Sequence, residues 1–129
     1  VAELTFPDGG PDTFYSVEWK SRHEKRIGCP ANISARAAVA MQESTVRVFD
    51  LIDGCDLCRA DFRLAGDGTP FFIEINPLPG LSPFYSVFPA QVRAAGEDPS
   101  YIIEALVANA CERGECPTIN ASARGRIRA

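Results

Sequence analysis

The chain has 129 residues, 46% hydrophobic and 23% charged, a balance typical of one globular domain with a single core. Its net charge of −4 argues against nucleic acid as a bulk partner, because no basic excess is available to displace counterions. No apolar run approaches the roughly 20 residues of a membrane span, so we expect no membrane partner and a cytoplasmic protein.

Two short strands and a polar loop are predicted before the first helix. Residues 1–6 read as a short strand, and residues 14–20 alternate apolar and polar side chains as a half-buried strand does. Residues 21–28 form a polar loop of mixed charge that ends at Cys29-Pro30.

The first helix is predicted from Ser34, a good N-cap residue, to about Ile52, with Gly54 as its stop. Its apolar residues recur at helical spacing and are interpreted as core packing without a chemical role. They are Ala38, Met41, Thr45, Val48, Phe49 and Ile52.

A β-hairpin follows the helix. Residues 58–64 alternate apolar and polar side chains, and residues 71–75 form a second β-rich run. Asp67-Gly68 between two such runs predicts a two-residue loop with a type I′ turn, so that Gly66 pairs with Thr69.

This register predicts one polar face on the hairpin. Asp61 lies opposite Glu74 and Arg59 lies opposite Asn76, all on the same side, because side chains alternate with period two. Two carboxylates directly opposed on a sheet repel each other, and a bound cation would reverse that repulsion.

Two interpretations of the polar face remain open at this point. Oxygen atoms of Asp61, Glu74 and Asn76 form a ligand set that hard divalent cations prefer. Alternatively, the face is simply solvated, with Arg59 and Arg63 neutralising the acids.

The last third of the chain is predicted to hold a proline-rich segment, two helices and a tail. Residues 76–83 are too rich in proline for regular structure and lead into a short helix through Phe88. The final helix starts at Asp98-Pro99 and stops at Gly114. Its predicted buried face consists of Ile102, Ile103, Leu106, Val107 and Ala110.

We therefore expect an α/β (α+β) fold, with an antiparallel sheet backed by the helices at 35–52 and 99–113. Residues 1–114 form the folded domain, and residues 115–129 form a polar, flexible tail.

Five cysteines leave a structural zinc site as an alternative. Cys55 and Cys58 have the spacing of a zinc or redox motif, and Cys111 and Cys116 would have to complete the ligand set from the other end of the chain. This would make the chain a zinc-stabilised interaction domain.

Three segments around the hairpin carry a family resemblance. Residues 59–62 (Arg-Ala-Asp-Phe), 72–76 (Phe-Ile-Glu-Ile-Asn) and 78–80 (Leu-Pro-Gly) resemble the carboxy-terminal part of D-alanine–D-alanine ligases and their ATP-grasp relatives. Upstream, residues 17–20 look like the Glu-Ala-Lys segment of that family, and residues 29–31 match its Cys-Pro-Ala. The order and spacing agree from about residue 15 to residue 113.

The resemblance implies the ATP-grasp carboxy-terminal lobe of a carboxylate–amine ligase in peptidoglycan biosynthesis. ATP is the co-substrate, and Asp61, Glu74 and Asn76 would hold Mg²⁺ (or Mn²⁺) ions that bridge its phosphates. Lys20 would also contact the nucleotide, and the loop at 21–28 would be a lid over it.

The catalytic roles come from the same resemblance. Arg59 and Lys20 would face the transferred phosphoryl group and the tetrahedral intermediate. Gly80 would let its backbone approach the substrate closely.

The segment after Gly80 departs from the family pattern. Ser86 is the best candidate for the serine that contacts the carboxylate of the second amino acid, but Phe84 and Tyr85 are bulkier than the residues usual there. The segment is also one residue longer, so an acceptor other than D-alanine, either an amino acid or a peptide, stays open.

The resemblance begins downstream of the family's amino-terminal lobes. We therefore expect the chain to be part of a longer polypeptide that supplies those lobes, and to be inactive alone. A non-catalytic nucleotide-binding or regulatory module with a retained ATP-grasp fold is the alternative. A homodimer is left open.

Overall fold

The computed structural model describes residues 1–7, 13, 26–53 and 55–114. Over these residues the chain has an α+β arrangement of three helices and two antiparallel two-stranded sheets, where a single sheet was predicted. The strands are β1 (Glu3–Thr5), β2 (Arg26–Gly28), β3 (Arg59–Leu64) and β4 (Pro70–Asn76). The helices are α1 (Ala35–Asp50), α2 (Val87–Ala94) and α3 (Ser100–Glu112).

The chain divides into two compact units, and the division falls between Pro99 and Ser100. The first unit contains all four strands, α1 and α2, and therefore every described residue of the predicted site. The second unit begins with α3. The predicted boundary between a domain at 1–114 and a tail at 115–129 stays a prediction, because the tail lies outside the described residues.

The smaller sheet corrects the predicted loop at 21–28. Residues 26–28 form β2 and pair with β1 in antiparallel register, with Leu4 opposite Ile27. Those three residues are therefore strand rather than lid. Residues 21–25 and the strand predicted at 14–20, including Lys20, lie outside the described residues.

Helix α1 begins as predicted. The Ser34 hydroxyl accepts a hydrogen bond from the Ala37 amide at 3.2 Å, which satisfies one of the free amides of the first turn. Ala37 and Met41 are buried, and the helix packs against both β3 and β4. The helix ends at Asp50, two residues before the predicted end.

The hairpin loop has three residues instead of the predicted two. The Ala65 amide donates to the Thr69 carbonyl at 2.9 Å, so Ala65 rather than Gly66 pairs with Thr69. Gly68 has a φ of 83°, a left-handed conformation that glycine adopts without a steric penalty. The Thr69 amide donates to Asp67 Oδ1 at 2.9 Å, and this bond lowers the pKa of Asp67.

The short helix predicted through Phe88 is α2, which extends beyond the prediction to Ala94. Val87 and Pro89 of its first turn are buried, and proline is tolerated there because that turn has free amides. The helix therefore anchors the segment that precedes it.

Helix α3 begins close to the predicted position and is followed by Gly114 at a φ of 75°, as predicted for its stop. Two residues of its predicted buried face are exposed, Ile103 by 51% and Val107 by 54%, whereas Ile102 is buried. None of the helices in the described ranges is long and apolar enough to cross a lipid bilayer.

Candidate metal and phosphate site

The hairpin brings the two predicted acidic ligands together. Asp61 of β3 lies directly opposite Glu74 of β4, and Arg59 lies opposite Asn76. The three-residue loop alone would pair Asp61 with Ile73, because Leu64 is opposite Pro70. The predicted pairing is therefore right, although the predicted turn is wrong.

A β-bulge restores the register between the loop and the site. Phe62 lies opposite Phe72 while Asp61 lies opposite Glu74, so Ile73 is an extra residue of β4 without its own partner on β3. Bulges of this kind bend a strand, increase its twist and re-aim nearby side chains. Here the bulge compensates the shift that the longer loop introduces.

The apolar side of the hairpin is fixed by an aromatic pair. The rings of Phe62 and Phe72 meet edge to face, with centroids 5.6 Å apart and an interplanar angle of 76°. Phe62 follows Asp61 directly on β3, so its side chain points to the opposite face of the strand. The aromatic pair thus holds the hairpin while the acidic pair occupies the other face.

Arg59 neutralises Asp61 by forming a bidentate ion pair with it. Arg59 Nε lies 2.6 Å from Asp61 Oδ1, and Arg59 Nη2 lies 2.7 Å from Oδ2. The side chains are only 16% and 26% exposed, so water screens this pair less than it screens an open surface pair. Part of the alternative interpretation is therefore correct, because a basic side chain does balance one acid of this face.

Arg63, on the same strand, contacts the backbone of an earlier segment. Its Nη1 atom donates to the carbonyl oxygen of Thr13 at 2.6 Å, which ties the hairpin to an earlier part of the chain. The carboxylate of Glu74 is exposed and has no hydrogen-bond or ion-pair partner among the described residues. Among the described residues, the polar face thus holds one carboxylate paired with a basic side chain and one carboxylate without such a partner.

Asn76 ends β4 and turns the chain toward Gly80. Its Oδ1 atom accepts a hydrogen bond from the Leu78 amide at 3.0 Å, which leaves one lone pair of that oxygen for another partner. Pro79, within this turn, is buried. Asn76 is therefore both a turn residue and a candidate ligand.

Gly80 and Ser86 are neighbours in space. A Cβ atom built on Gly80 would lie 2.8 Å from Ser86 Oγ, closer than real Cβ atoms approach other atoms. Ser86 is the N-cap residue of α2, yet its hydroxyl makes no capping hydrogen bond to the helix. The structure thus brings together the two residues predicted to contact the substrate.

The turn between Gly80 and α2 is held by hydrogen bonds. The Ser86 amide donates to the Ser82 carbonyl at 3.2 Å, and Arg93 Nη2 donates to the Pro83 carbonyl at 2.8 Å. Phe84 and Tyr85 are left 91% and 60% exposed on this turn. Sequence reasoning assigned no part to Arg93, and no local pattern distinguishes it from an ordinary surface arginine.

The donor set fits Mg²⁺ better than zinc. Asp61, Glu74 and Asn76 supply two carboxylates and an amide oxygen, and Mg²⁺ in nucleotide sites uses one or two carboxylates together with substrate phosphates and water. Within the described ranges, no group of three or more His, Cys, Asp or Glu side chains could hold a metal ion. The cysteines described there thus give no support to a zinc-stabilised domain.

Comparison with known proteins identifies relatives over most of the chain. Residues 7–108 match the sequence profile of the family described as "D-ala D-ala ligase C-terminus". The chain is 42% identical over 99 residues to a D-alanine–D-alanine ligase of Bacillus velezensis, which covers 74% of the chain and 28% of that protein. It is 31% identical over 115 residues to the ligase of the same name from Nocardia farcinica, covering 88% and 31% respectively. The chain thus spans less than a third of the length of these relatives.

Proposed function

We propose a function from the premise that this chain belongs to the D-ala D-ala ligase C-terminus family. In our proposal it is the carboxy-terminal lobe of an ATP-dependent ligase that joins the carboxylate of one amino acid to the amine of a second. The observation that carries the proposal is the opposition of Asp61 and Glu74 across the bulged hairpin.

The proposed reaction has two steps. A carboxylate oxygen of the first amino acid attacks the γ-phosphorus of ATP, which forms an acyl phosphate and releases ADP. The amine of the second amino acid then attacks the acyl carbon, and inorganic phosphate leaves as the peptide bond forms. The attacking nitrogen gives up a proton in this step.

Asp61, Glu74 and Asn76 would hold the Mg²⁺ (or Mn²⁺) ions of this reaction. Bound there, the cation would neutralise negative charge between the nucleotide phosphates and the transferred group. The exposed Glu74 carboxylate offers oxygen atoms that no other described side chain uses. Asn76 Oδ1 offers its second lone pair beside the Leu78 amide.

Arg59 would stabilise the transferred phosphoryl group and the tetrahedral intermediate. Its guanidinium is planar and permanently charged, which suits phosphate oxygens better than a flexible ammonium does. The ion pair with Asp61 holds that guanidinium at the acidic end of the hairpin. In the same proposal Lys20, which lies outside the described residues, contributes a second positive charge to the phosphate site.

Gly80 and Ser86 would receive the second amino acid. The missing side chain of Gly80 leaves room beside Ser86 Oγ, and that hydroxyl is not used to cap α2. The Ser86 hydroxyl would donate a hydrogen bond to the substrate carboxylate. Because Phe84 and Tyr85 are exposed on the same turn, an acceptor larger than D-alanine is compatible with this surface.

The remaining ligase lobes would come from the rest of a longer polypeptide. The matched relatives are more than three times as long as the matched segment, since it covers 28–31% of their length. A nucleotide site built only from this lobe would be open to water on its other side. We therefore propose that the 129-residue chain is inactive alone.

Amino-acid-dependent ADP release by the full-length protein tests the proposal. With MgATP present, we expect ADP release to rise when D-alanine or another acceptor from an amino-acid and dipeptide panel is added. The 129-residue chain alone should show no turnover under the same conditions. Nucleotide binding without stimulated hydrolysis by any amino acid or dipeptide would instead indicate a non-catalytic module.

A further inference from the structure

The ion pair between Arg59 and Asp61 occupies the same carboxylate that the proposed site needs for a cation. Both oxygens of Asp61 accept hydrogen bonds from Arg59, at 2.6 and 2.7 Å. Both side chains are mostly shielded from solvent. Glu74, directly opposite, has no such partner among the described residues.

We propose that Arg59 acts as a reversible latch on Asp61, closing the metal site until a divalent cation displaces it and leaves the guanidinium to a phosphate. The proposal rests on the proposed function, because it assumes that Asp61 and Glu74 bind the metal. It adds an order of events within that site, in which release of Arg59 accompanies cation binding.

Electrostatics supports competition between the arginine and the cation. A guanidinium bound to both oxygens of Asp61 places a positive charge a few ångströms from any cation on the same carboxylate. The repulsion between a unit charge and a divalent ion about 5 Å apart corresponds, even at the dielectric constant of water, to roughly a tenfold loss of affinity. A partly shielded site increases that penalty, since screening is weaker there.

The shape of the ion pair makes the latch reversible. Arg59 and Asp61 lie two residues apart on one strand, so their side chains project from the same face and meet without a change in the backbone. Rotation of the arginine side chain can therefore break both of its hydrogen bonds to Asp61. The negative charge of a nucleotide phosphate offers the released guanidinium a second bidentate partner.

Binding of Mn²⁺ to the full-length protein, measured by electron paramagnetic resonance, tests the latch without relying on activity. Replacing Arg59 by glutamine should tighten Mn²⁺ binding about tenfold, because the competing charge is removed. Arg63→Gln is the matched control: it removes the same charge four positions along β3, from a side chain that bonds Thr13. It should change the affinity by less than twofold.

Two outcomes of the Mn²⁺-binding experiment distinguish failure of the latch from failure of the metal site. If Asp61→Asn and Glu74→Gln leave Mn²⁺ binding unchanged, the site assignment fails and the latch fails with it. If those variants lose binding but Arg59→Gln binds no more tightly than Arg63→Gln, the metal site stands and the latch is wrong.

A second measurement on the wild-type protein covers the case in which Arg59→Gln does not fold. In nitrogen-15 spectra of the arginine side chains, the Nε–H group of Arg59 should be protected from exchange by its bond to Asp61. Saturation with Mg²⁺ and ADP should shift that resonance and change its exchange rate. A resonance that keeps its position and protection at saturation would overturn the proposal.

Discussion

Ser86 Oγ lies so close to Gly80 that a Cβ atom on residue 80 would sit 2.8 Å from it. Gly80 has no left-handed backbone conformation that would otherwise require glycine, so the obstacle to a side chain at this position is the neighbouring hydroxyl, which would have to move. The contact joins the end of the Asn76–Gly80 turn to the N terminus of α2. It thereby sets the place where we propose that the acceptor binds.

Gly80→Ala should weaken acceptor binding by turning the Ser86 hydroxyl away from its position. We expect KM for the acceptor to rise roughly tenfold, as for the loss of one hydrogen bond to a charged group, while the KM for ATP changes little. Steady-state kinetics of the full-length protein at saturating ATP measures this effect. In a Ser86→Ala background the same substitution should add almost nothing, and an undiminished effect there would rule out the hydroxyl as the cause.

Glu74→Gln should strongly reduce turnover while leaving the fold intact. Loss of one cation ligand should lower kcat by on the order of a hundredfold or more, because charge stabilisation by a bound metal contributes several kcal/mol. Removing a charge that faces Asp61 should change the free energy of unfolding by less than about 0.5 kcal/mol. Kinetics and thermal unfolding measure both quantities, with Glu43→Gln on the exposed side of α1 as control. Turnover near that of the wild type would show that Glu74 is not a ligand.

Deleting Ile73 should preserve the pairing of Asp61 with Glu74. Ile73 is the residue that the bulge adds to β4, so its removal lets the ladder run from the loop to the site without interruption. We expect a folded hairpin in which Glu74 still faces Asp61 but with a smaller local twist. Cross-strand nuclear Overhauser effects between the two strands would test this, and a slip that places Ile75 opposite Asp61 would contradict the assigned bulge.

The thiol of Cys58 should react slowly with alkylating reagents at pH 8. Burial raises its pKa above the ordinary value, and the nearby Cys55 raises it further. Since only the thiolate reacts, the rate should be lower than that of the same cysteine in the urea-unfolded protein and should keep rising as the pH passes 9. Cys55→Ser should speed the reaction at pH 8. Mass spectrometry of the Cys58 peptide after iodoacetamide treatment measures the rates, and equal rates in folded and unfolded protein would contradict the shift.

The pairing of Asp61 with Glu74 could be predicted from the sequence. The alternation of apolar and polar side chains and the Asp67-Gly68 dipeptide together limit the register of the hairpin to a few possibilities. The loop length could not be predicted, since Gly66 and Gly68 both permit several turn types. The three-residue loop is stabilised by the hydrogen bond from the Thr69 amide to Asp67 and by the left-handed conformation of Gly68. The predicted pairing survived only because the bulge at Ile73 offsets the extra loop residue.

Local sequence patterns could not predict features that depend on distant parts of the chain. Residues 26–28 form a strand only because β1, more than twenty positions earlier, offers a partner, and three residues carry no periodic signal. In α3, apolar residues lie on more than one face, so spacing alone did not show that Ile103 and Val107 are exposed. The ion pair between Arg59 and Asp61 was likewise one of several partnerships that the same strand allowed.

The position of a bound metal ion tests the central proposal most directly. Crystals of the full-length protein grown with Mn²⁺ and ADP, measured near the manganese absorption edge, would locate the ion by anomalous scattering. We expect a peak at coordination distance from carboxylate oxygens of both Asp61 and Glu74. A nucleotide-bound structure whose manganese peaks lie away from both carboxylates, with Asp61 still paired to Arg59, would contradict it.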